Sequence, residues 1–310
     1  MKKVIFVNHK VKNCGVYQYG KRVFDICKKS KKVNFDYIEV DSEDEFFSYV
    51  KVKIPDVLIY NYVPSTMPWI NFNVLNKIKK LKIKQGNIIH NCRYGEFDFY
   101  LHQDPYYIDN QNNFSLPRPL FEYTPKNSNN RMDIDNIIKI GTFGFAGKHK
   151  FFNEICRLVS EEFTHKKIQL NFHITEGFYC GDSIDEIKNS CNIDSKFKNI
   201  ELTITDNFLT DEEILNFLHN NDLNVFFYDD YSFYNGISSS IDYALSVKKP
   251  IAICKSNMFS HILDTKPSIC VEEMDLYDII KNGFVPLEKK YNSWSHEKFI
   301  HSIENIISLI

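Results

Sequence analysis

The chain has 310 residues, 43% of them hydrophobic and 25% charged, with a formal net charge of −2. That length allows two domains of ordinary size, and that balance of apolar and charged residues excludes a disordered chain. A near-neutral surface supplies no general basic field, so nucleic acid is not an expected partner.

Local basic runs at residues 28–32 and 77–84 read as solvated faces beside or on helices. The second leaves open a peripheral contact with a membrane surface. The eight cysteines form no CxxC pair and no zinc-spaced Cys/His cluster. Several sit in apolar runs as small hydrophobes, which points to a reducing compartment. Val4–Val7, after Met1-Lys2-Lys3, is too short an apolar run for a signal peptide or a membrane span. A cytoplasmic location is therefore expected.

In chain order, Lys3–Asn8 is apolar nearly throughout, as a parallel strand buried on both faces should be. A loop with Asn13-Cys14-Gly15 leads to a helical pattern over Tyr17–Lys28. Strands follow at Phe35–Val40 and Val57–Tyr60, then a lysine-flanked helix at Val74–Ile83 and a short strand at Asn87–His90. Between about Asp109 and Asn136, prolines among Asn and Gln mark a crossing with surface loops. A second alternating set begins with the strand Ile137–Phe143, the helix Phe151–Phe163 and strands at Ile168–Ile174 and Ile200–Ile204. Thr210-Asp211-Glu212-Glu213 has capping-box spacing and opens a helix to His219. The strand Leu223–Tyr228, a helix begun by Ser238-Ser239-Ser240, the strand Pro250–Cys254 and an apolar-striped helix over Trp294–Ile310 complete the chain. This alternation predicts an α/β chain of two doubly wound, Rossmann-like domains facing across a cleft. The expected boundaries are residues 1–125, residues 126–290, and residues 291–310 as a helix packing back on the first domain.

The most telling stretch runs from Tyr234-Asn235-Gly236 through the three serines to Ile253. A helix N-terminus carries unpaired N–H groups and partial positive charge, so it attracts phosphate. Ser238, Ser239 and Ser240 can cap that helix or donate hydroxyls to an anion, and Asp242 can accept from sugar hydroxyls. Together they suit a phosphate joined to a sugar. The plainer alternative is an ordinary serine-capped helix.

Other candidates fall at strand ends. Gly15 lets backbone N–H groups approach a ligand, or is a simple turn glycine. Lys148, preferred over Lys150, can neutralise a departing diphosphate, or is a solvated cation. His90 ends an apolar strand and is expected to face the ligand, with a core histidine as the rival. Arg93 can clasp a phosphate or bridge surface acids. Glu96 and Asp98 are candidate general bases, though solvated loop acids are the plainer reading. Asp133-Ile134-Asp135 precedes its strand rather than following one, so its DxD spacing is read as chance. Asp229-Asp230 does follow an apolar strand and is the one place that keeps a metal in play.

Several of these segments resemble a known family. Leu209–Ile214, Asp222–Phe227 and Gly236–Ile253 are similar to the donor-binding half of GT-B glycosyltransferases, in particular the retaining, nucleotide-sugar-dependent group called family 4. Ile140-Gly141-Thr142-Phe143 with Lys148 or Lys150 resembles the first C-domain strand and its phosphate-contacting lysine. Asn13-Cys14-Gly15-Val16 resembles the N-domain glycine loop, and Ile89-His90-Asn91 the strand-end histidine. One departure stands out: of the family's two glutamates eight positions apart, Tyr234 holds the first place and Asp242 the second.

The resemblance implies a metal-independent, retaining transferase without a cofactor, moving sugar from a nucleotide-diphosphate donor to an acceptor hydroxyl in a glycan, a lipid-linked sugar or another carrier. The second domain would hold the donor through Thr142, Phe143, Lys148, Asn207, Phe208, Tyr234, Gly236, the three serines and Asp242, with Gly15 reaching in from the first domain. Asn13, Tyr17, Arg93 and Glu96 would lie on the acceptor side, and His90, Lys148 and Asp242 would be catalytic. The rival readings are an inactive nucleotide-sugar or glycan-binding protein of the same fold, a nucleotide-sugar epimerase, and an enzyme that adds sugar to modified DNA bases.

Overall fold

The computed structural model describes residues 1–90, 93–125, 137–178, 182–191, 193, 197–229 and 236–310. The chain divides into two compact units. One comprises Met1–Pro119, Ser293–Ile310 and a short piece ending at Ile237; the other begins at Leu120 and ends at Asn292.

The first unit contains β1 (Lys2–Asn8), α1 (Gly15–Cys27), β2 (Val33–Glu39), α2 (Glu43–Lys53), β3 (Val57–Tyr60), α3 (Phe72–Lys80), β4 (Lys84–Ile89), β5 (Phe99–His102) and β6 (Asn113–Ser115). Among the described residues its sheet has six strands, all parallel, in the order β2-β1-β3-β4-β5-β6. Val4–Val7 of β1 are buried on both faces, which explains their unbroken apolar character. α1 turns Tyr19, Val23, Ile26 and Cys27 onto the sheet at helical spacing. α2 was not predicted. Ser42 caps it by accepting from Glu45 N–H at 3.3 Å, and acids fill its first turn while Lys51 and Lys53 fill its last. β5 and β6 lengthen the sheet, and β6 lies inside the stretch read as a crossing with surface loops, because Asn113-Phe114-Ser115 is too short and polar to show a strand pattern.

The second unit contains β7 (Ile137–Phe145), α4 (Phe152–Glu162), β8 (Lys167–Thr175), α5 (Ile184–Ser190), β9 (Ile200–Thr205), α6 (Asp211–His219), β10 (Leu223–Phe226), α7 (Ser240–Ser246), β11 (Ile251–Ile253) and α8 (Leu276–Asn282). Its described strands form a parallel sheet of five in the order β11-β10-β7-β8-β9. The capping box at Thr210 and Glu213 is present, with both reciprocal bonds made. α7 is shorter than its apolar pattern suggests. Ser239 is its N-cap but contributes no capping bond from its side chain.

After α9 (Glu288–Ser293), α10 (His296–Leu309) joins the first unit. Phe299, Ile303, Ile306 and Ile307 enter the same core as Val4, Phe6 and Val23. Lys2 Nζ donates to the Ile307 carbonyl at 2.9 Å, and Ser30 Oγ donates to Glu304 at 2.7 Å. No helix among the described residues is long and apolar enough to cross a membrane.

Candidate functional site

Each sheet reverses its winding at one place, between β1 and β3 in the first and between β7 and β10 in the second. Open α/β sheets bind ligands beyond the carboxyl ends of strands flanking such a reversal.

In the first unit that position is filled by the chain itself. Asn61, just past β3, donates through Nδ2 to Asn8 Oδ1 at 2.8 Å and to the Val16 carbonyl at 2.7 Å. Asn61 Oδ1 accepts from His90 Nε2 at 2.7 Å, and His90 Nδ1 accepts from the Gln103 side-chain amide. Asn8 Nδ2 donates onward to the Tyr17 carbonyl at 3.1 Å and the Tyr37 hydroxyl at 3.0 Å. The Tyr17 and Tyr37 hydroxyls both donate to Glu39, at 2.6 and 3.1 Å. This sequence of donors and acceptors requires His90 to be neutral with its proton on Nε2. Burial, reinforced by His9 and Arg118, pushes its pKa down to about 3. Gly20 is needed beside it, because a Cβ there would overlap the Asn61 amide. His90 is therefore enclosed, with both ring nitrogens taken, rather than presenting a free edge.

The remaining first-unit candidates are spread out. Gly15 opens α1 behind a buried Cys14, and Asn13 beside it is exposed. Tyr17 is buried, and burial followed by its bond to Glu39 pushes the phenol up to about 12. Arg93 is exposed, with its guanidinium stacked 3.8 Å over the Tyr100 ring. Glu96 is exposed and lines a groove of about 480 Å³ beside α3. His9 escaped the sequence reading, although a histidine directly after a buried strand is a readable signal. Its side chain is fully buried, Nδ1 accepts from Val11 N–H at 3.2 Å, and Nε2 meets no partner among the described residues. Burial pushes its pKa down to about 4, opposed by Glu39.

In the second unit the structure separates the two lysines that sequence could not. Lys148 is 69% exposed and its ammonium is already answered by Asp182 at 3.2 Å and Glu186 at 3.3 Å, which raise its pKa. Lys150 is 7% exposed and lies at the reversal itself. Its Nζ sits 5.7 Å from the Phe145 ring centre at the end of β7 and 5.6 Å from the Tyr228 ring centre just past β10. Gly144 makes room for it, since a Cβ there would fall 2.5 Å from Nζ. No carboxylate pairs with Lys150 among the described residues. By contrast Lys290, buried to a similar degree, donates to Asp264 at 2.6 Å and to the His261 carbonyl at 2.8 Å. A buried ammonium that, among the described residues, rests against aromatic faces and no carboxylate is a ready partner for an anion.

Ser238 strengthens the same edge of the sheet. It is 3% exposed, and its hydroxyl has no hydrogen-bond partner among the described residues. Ser239 and Ser240 are half-buried at the start of α7. Asp242 is fully buried in the first turn of α7 and already engaged with the chain's own groups. Thr142 is buried within β7, and the Phe143 ring packs against Phe226 at 6.0 Å and Tyr243 at 5.3 Å, which ties α7 to the strand ends. Asn207 is exposed and Phe208 is 58% exposed in the loop between β9 and α6. Gly236 is buried. Tyr234, Asp230, Asp133 and Asp135 lie outside the described residues. Among the described residues no group of three or more His, Cys, Asp or Glu side chains is arranged to hold a metal.

No protein-family model matches the chain, and no curated protein matches its sequence. Solved structures do match in fold. Anabaena Alr3699/HepE in complex with UDP-glucose aligns over 100% of both chains with a TM-score of 0.67 at 9% identity. The lipopolysaccharide outer core galactosyltransferase WaaB aligns over 99% of this chain and 100% of its own, with a TM-score of 0.58 at 11% identity. Trehalose-6-phosphate synthase, studied for glycosyl transfer with retention, aligns over 99% and 94% with a TM-score of 0.54 at 8% identity. The chain thus has the GT-B fold, with two parallel α/β sheets.

Proposed function

We propose that this GT-B chain is a glycosyltransferase that moves a sugar from a nucleoside-diphosphate donor to an acceptor hydroxyl. The observation that carries the reading is Lys150, a buried ammonium without a described counter-charge at the reversal point of the second sheet. As the bond from the sugar's anomeric carbon to the diphosphate breaks, negative charge grows on the leaving oxygen. A fixed ammonium there stabilises that charge without a metal ion. The Ser238 hydroxyl, buried and without a partner among the described residues, is assigned to donate to a phosphate oxygen. Phe208 offers an exposed ring against which a base can stack, whereas Asp242, which the resemblance assigns to the donor ribose, is fully buried and engaged with the chain's own groups. The enclosed His90 holds the first unit's strand ends in place rather than touching substrate. Retention of configuration is part of the proposal on the family resemblance alone. Tyr234, where the family has a glutamate, favours a second reading, a donor-binding protein without transfer activity.

The test is a thermal-shift and calorimetric screen against UDP-, GDP-, ADP-, CMP- and dTDP-sugars, followed by turnover with and without EDTA. One donor class is expected to raise the melting temperature, since ligand binding to the native state stabilises it. EDTA is expected to leave turnover unchanged. Absence of any nucleotide-sugar binding overturns the proposal, and binding without transfer or hydrolysis selects the second reading.

A further inference from the structure

Parallel neighbours such as β4 and β5 are usually joined by a helix lying on the sheet. Here the described residues between His90 and Asp98 contain no helix, and residues 95–98 lie across a groove from α3. This groove, of about 480 Å³, lies wholly within the first unit. Its outer wall is fixed in advance. The Tyr100 hydroxyl accepts from Phe97 N–H at 3.0 Å and donates to the Gly95 carbonyl at 2.9 Å. Asp98 N–H donates to the Gln85 carbonyl at 2.8 Å, and Gln85 N–H donates to Asp98 Oδ2 at 2.8 Å. Gly95, at φ +71°, makes the turn that permits both.

We infer that this groove binds a neutral oligosaccharide, which on the transferase reading above is the acceptor. Phe72 presents a ring that is 70% exposed at the groove, where the C–H face of a sugar can lie on it. Asn76, Lys79 and Glu96 line the same groove and make no hydrogen bond or ion pair among the described residues, so their polar ends are available to hydroxyl groups. An acyl chain would desolvate these groups without replacing their water, which disfavours a lipid tail. Two carboxylates, Glu96 and Asp98, against one ammonium, Lys79, disfavour an anionic sugar.

The experiment is an NMR titration of the intact chain with maltose, cellobiose, lactose, mannobiose and N,N′-diacetylchitobiose, with cellobiuronic acid as the charged control. At least one neutral disaccharide is expected to give saturable shifts at residues 72–79 and 95–98, and the charged control weaker ones. Phe72→Ala is expected to lower that affinity about tenfold, with Asn76→Ala as a second variant. Both side chains are at least partly solvent-exposed, so melting temperatures should be unchanged. The inference is overturned if no neutral disaccharide saturates, if shifts map elsewhere, if both variants bind normally, or if dodecylphosphocholine alone fills the groove. Nucleotide affinity is measured in parallel. Its loss in Lys150→Met with sugar binding intact supports both readings as separate sites. Sugar binding without nucleotide binding in the wild type removes the transferase and leaves the groove.

Discussion

At the reversal of the first sheet, Asn8, Asn61, His90 and Gln103 satisfy one another, whereas at the reversal of the second Lys150 holds a charge that no described carboxylate answers. The two places are topological equivalents, yet the first is filled by neutral groups that pair with one another, His9 Nε2 aside, and the second holds a charge left wanting a partner. Saturated polar networks fix geometry, because every member has a donor or acceptor that is lost if it moves. An unsatisfied buried charge costs stability and persists where a ligand supplies the missing opposite charge. The contrast teaches which strand ends are scaffold and which are receptor.

The sharpest way to break this contrast is Lys150→Met, which keeps the aliphatic stem and removes the charge. Affinity for a nucleoside diphosphate should fall by about 2–4 kcal/mol, roughly 30- to 1000-fold, by titration calorimetry. The unliganded protein should melt higher, because an uncompensated buried charge has gone. Unchanged affinity would show that the second site lies elsewhere.

His90→Ala should do the reverse. Leaving Asn61 and Gln103 without their partner should destabilise the fold by about 2–3 kcal/mol in urea denaturation. Nucleotide affinity should be unaffected, and a drop would show that the first unit also grips the donor.

A pH series refines the same contrast. Burial pushes the His90 pKa down to about 3 and that of His9 down to about 4 in the folded chain, both below the ordinary imidazole value. Between about pH 6 and 4 the unfolded chain therefore binds protons that the folded chain refuses, so stability declines as pH falls. Each histidine should contribute a slope of about 1.4 kcal/mol per pH unit in that window. His90→Gln should flatten the measured slope by about one proton.

The smallest effect belongs to Lys148→Ala. Its ammonium is exposed and already paired with Asp182 and Glu186, so nucleotide affinity should stay within about threefold of wild type.

The two-sheet fold was legible in the sequence because Val4–Val7 of β1 and the whole of β3 are buried on both faces and so read as continuous apolar runs, while β7 and β10 bury most of their residues and stay largely apolar around Lys139 and Asn224. The Ser42–Glu45 spacing that starts α2 was also present in the sequence, though its helix has only a weak apolar stripe, with Phe46 and Val50 buried. The site was less legible. Lys148 and Lys150 are separated by one residue and look alike until Tyr228, from a distant strand end, is seen to frame only the second. His90 could be placed at a strand end. Its fate depends on Asn61 and Gln103, which approach it from different elements and carry no shared motif. The serines point to a helix start, but whether they cap it is settled by backbone angles at Ser239 that composition does not encode.

The seating of α10 has a consequence for biosynthesis. Phe299, Ile303, Ile306 and Ile307 complete a core begun by Val4 and Phe6, so the first unit can finish folding only after residues 296–309 have been made. The middle of the polypeptide, whose own apolar cluster runs only from Ile138 to Ile280, can close while the ribosome is still working. A stop codon before residue 296 would leave the opening segment with an uncovered greasy face, a natural target for chaperones and proteases.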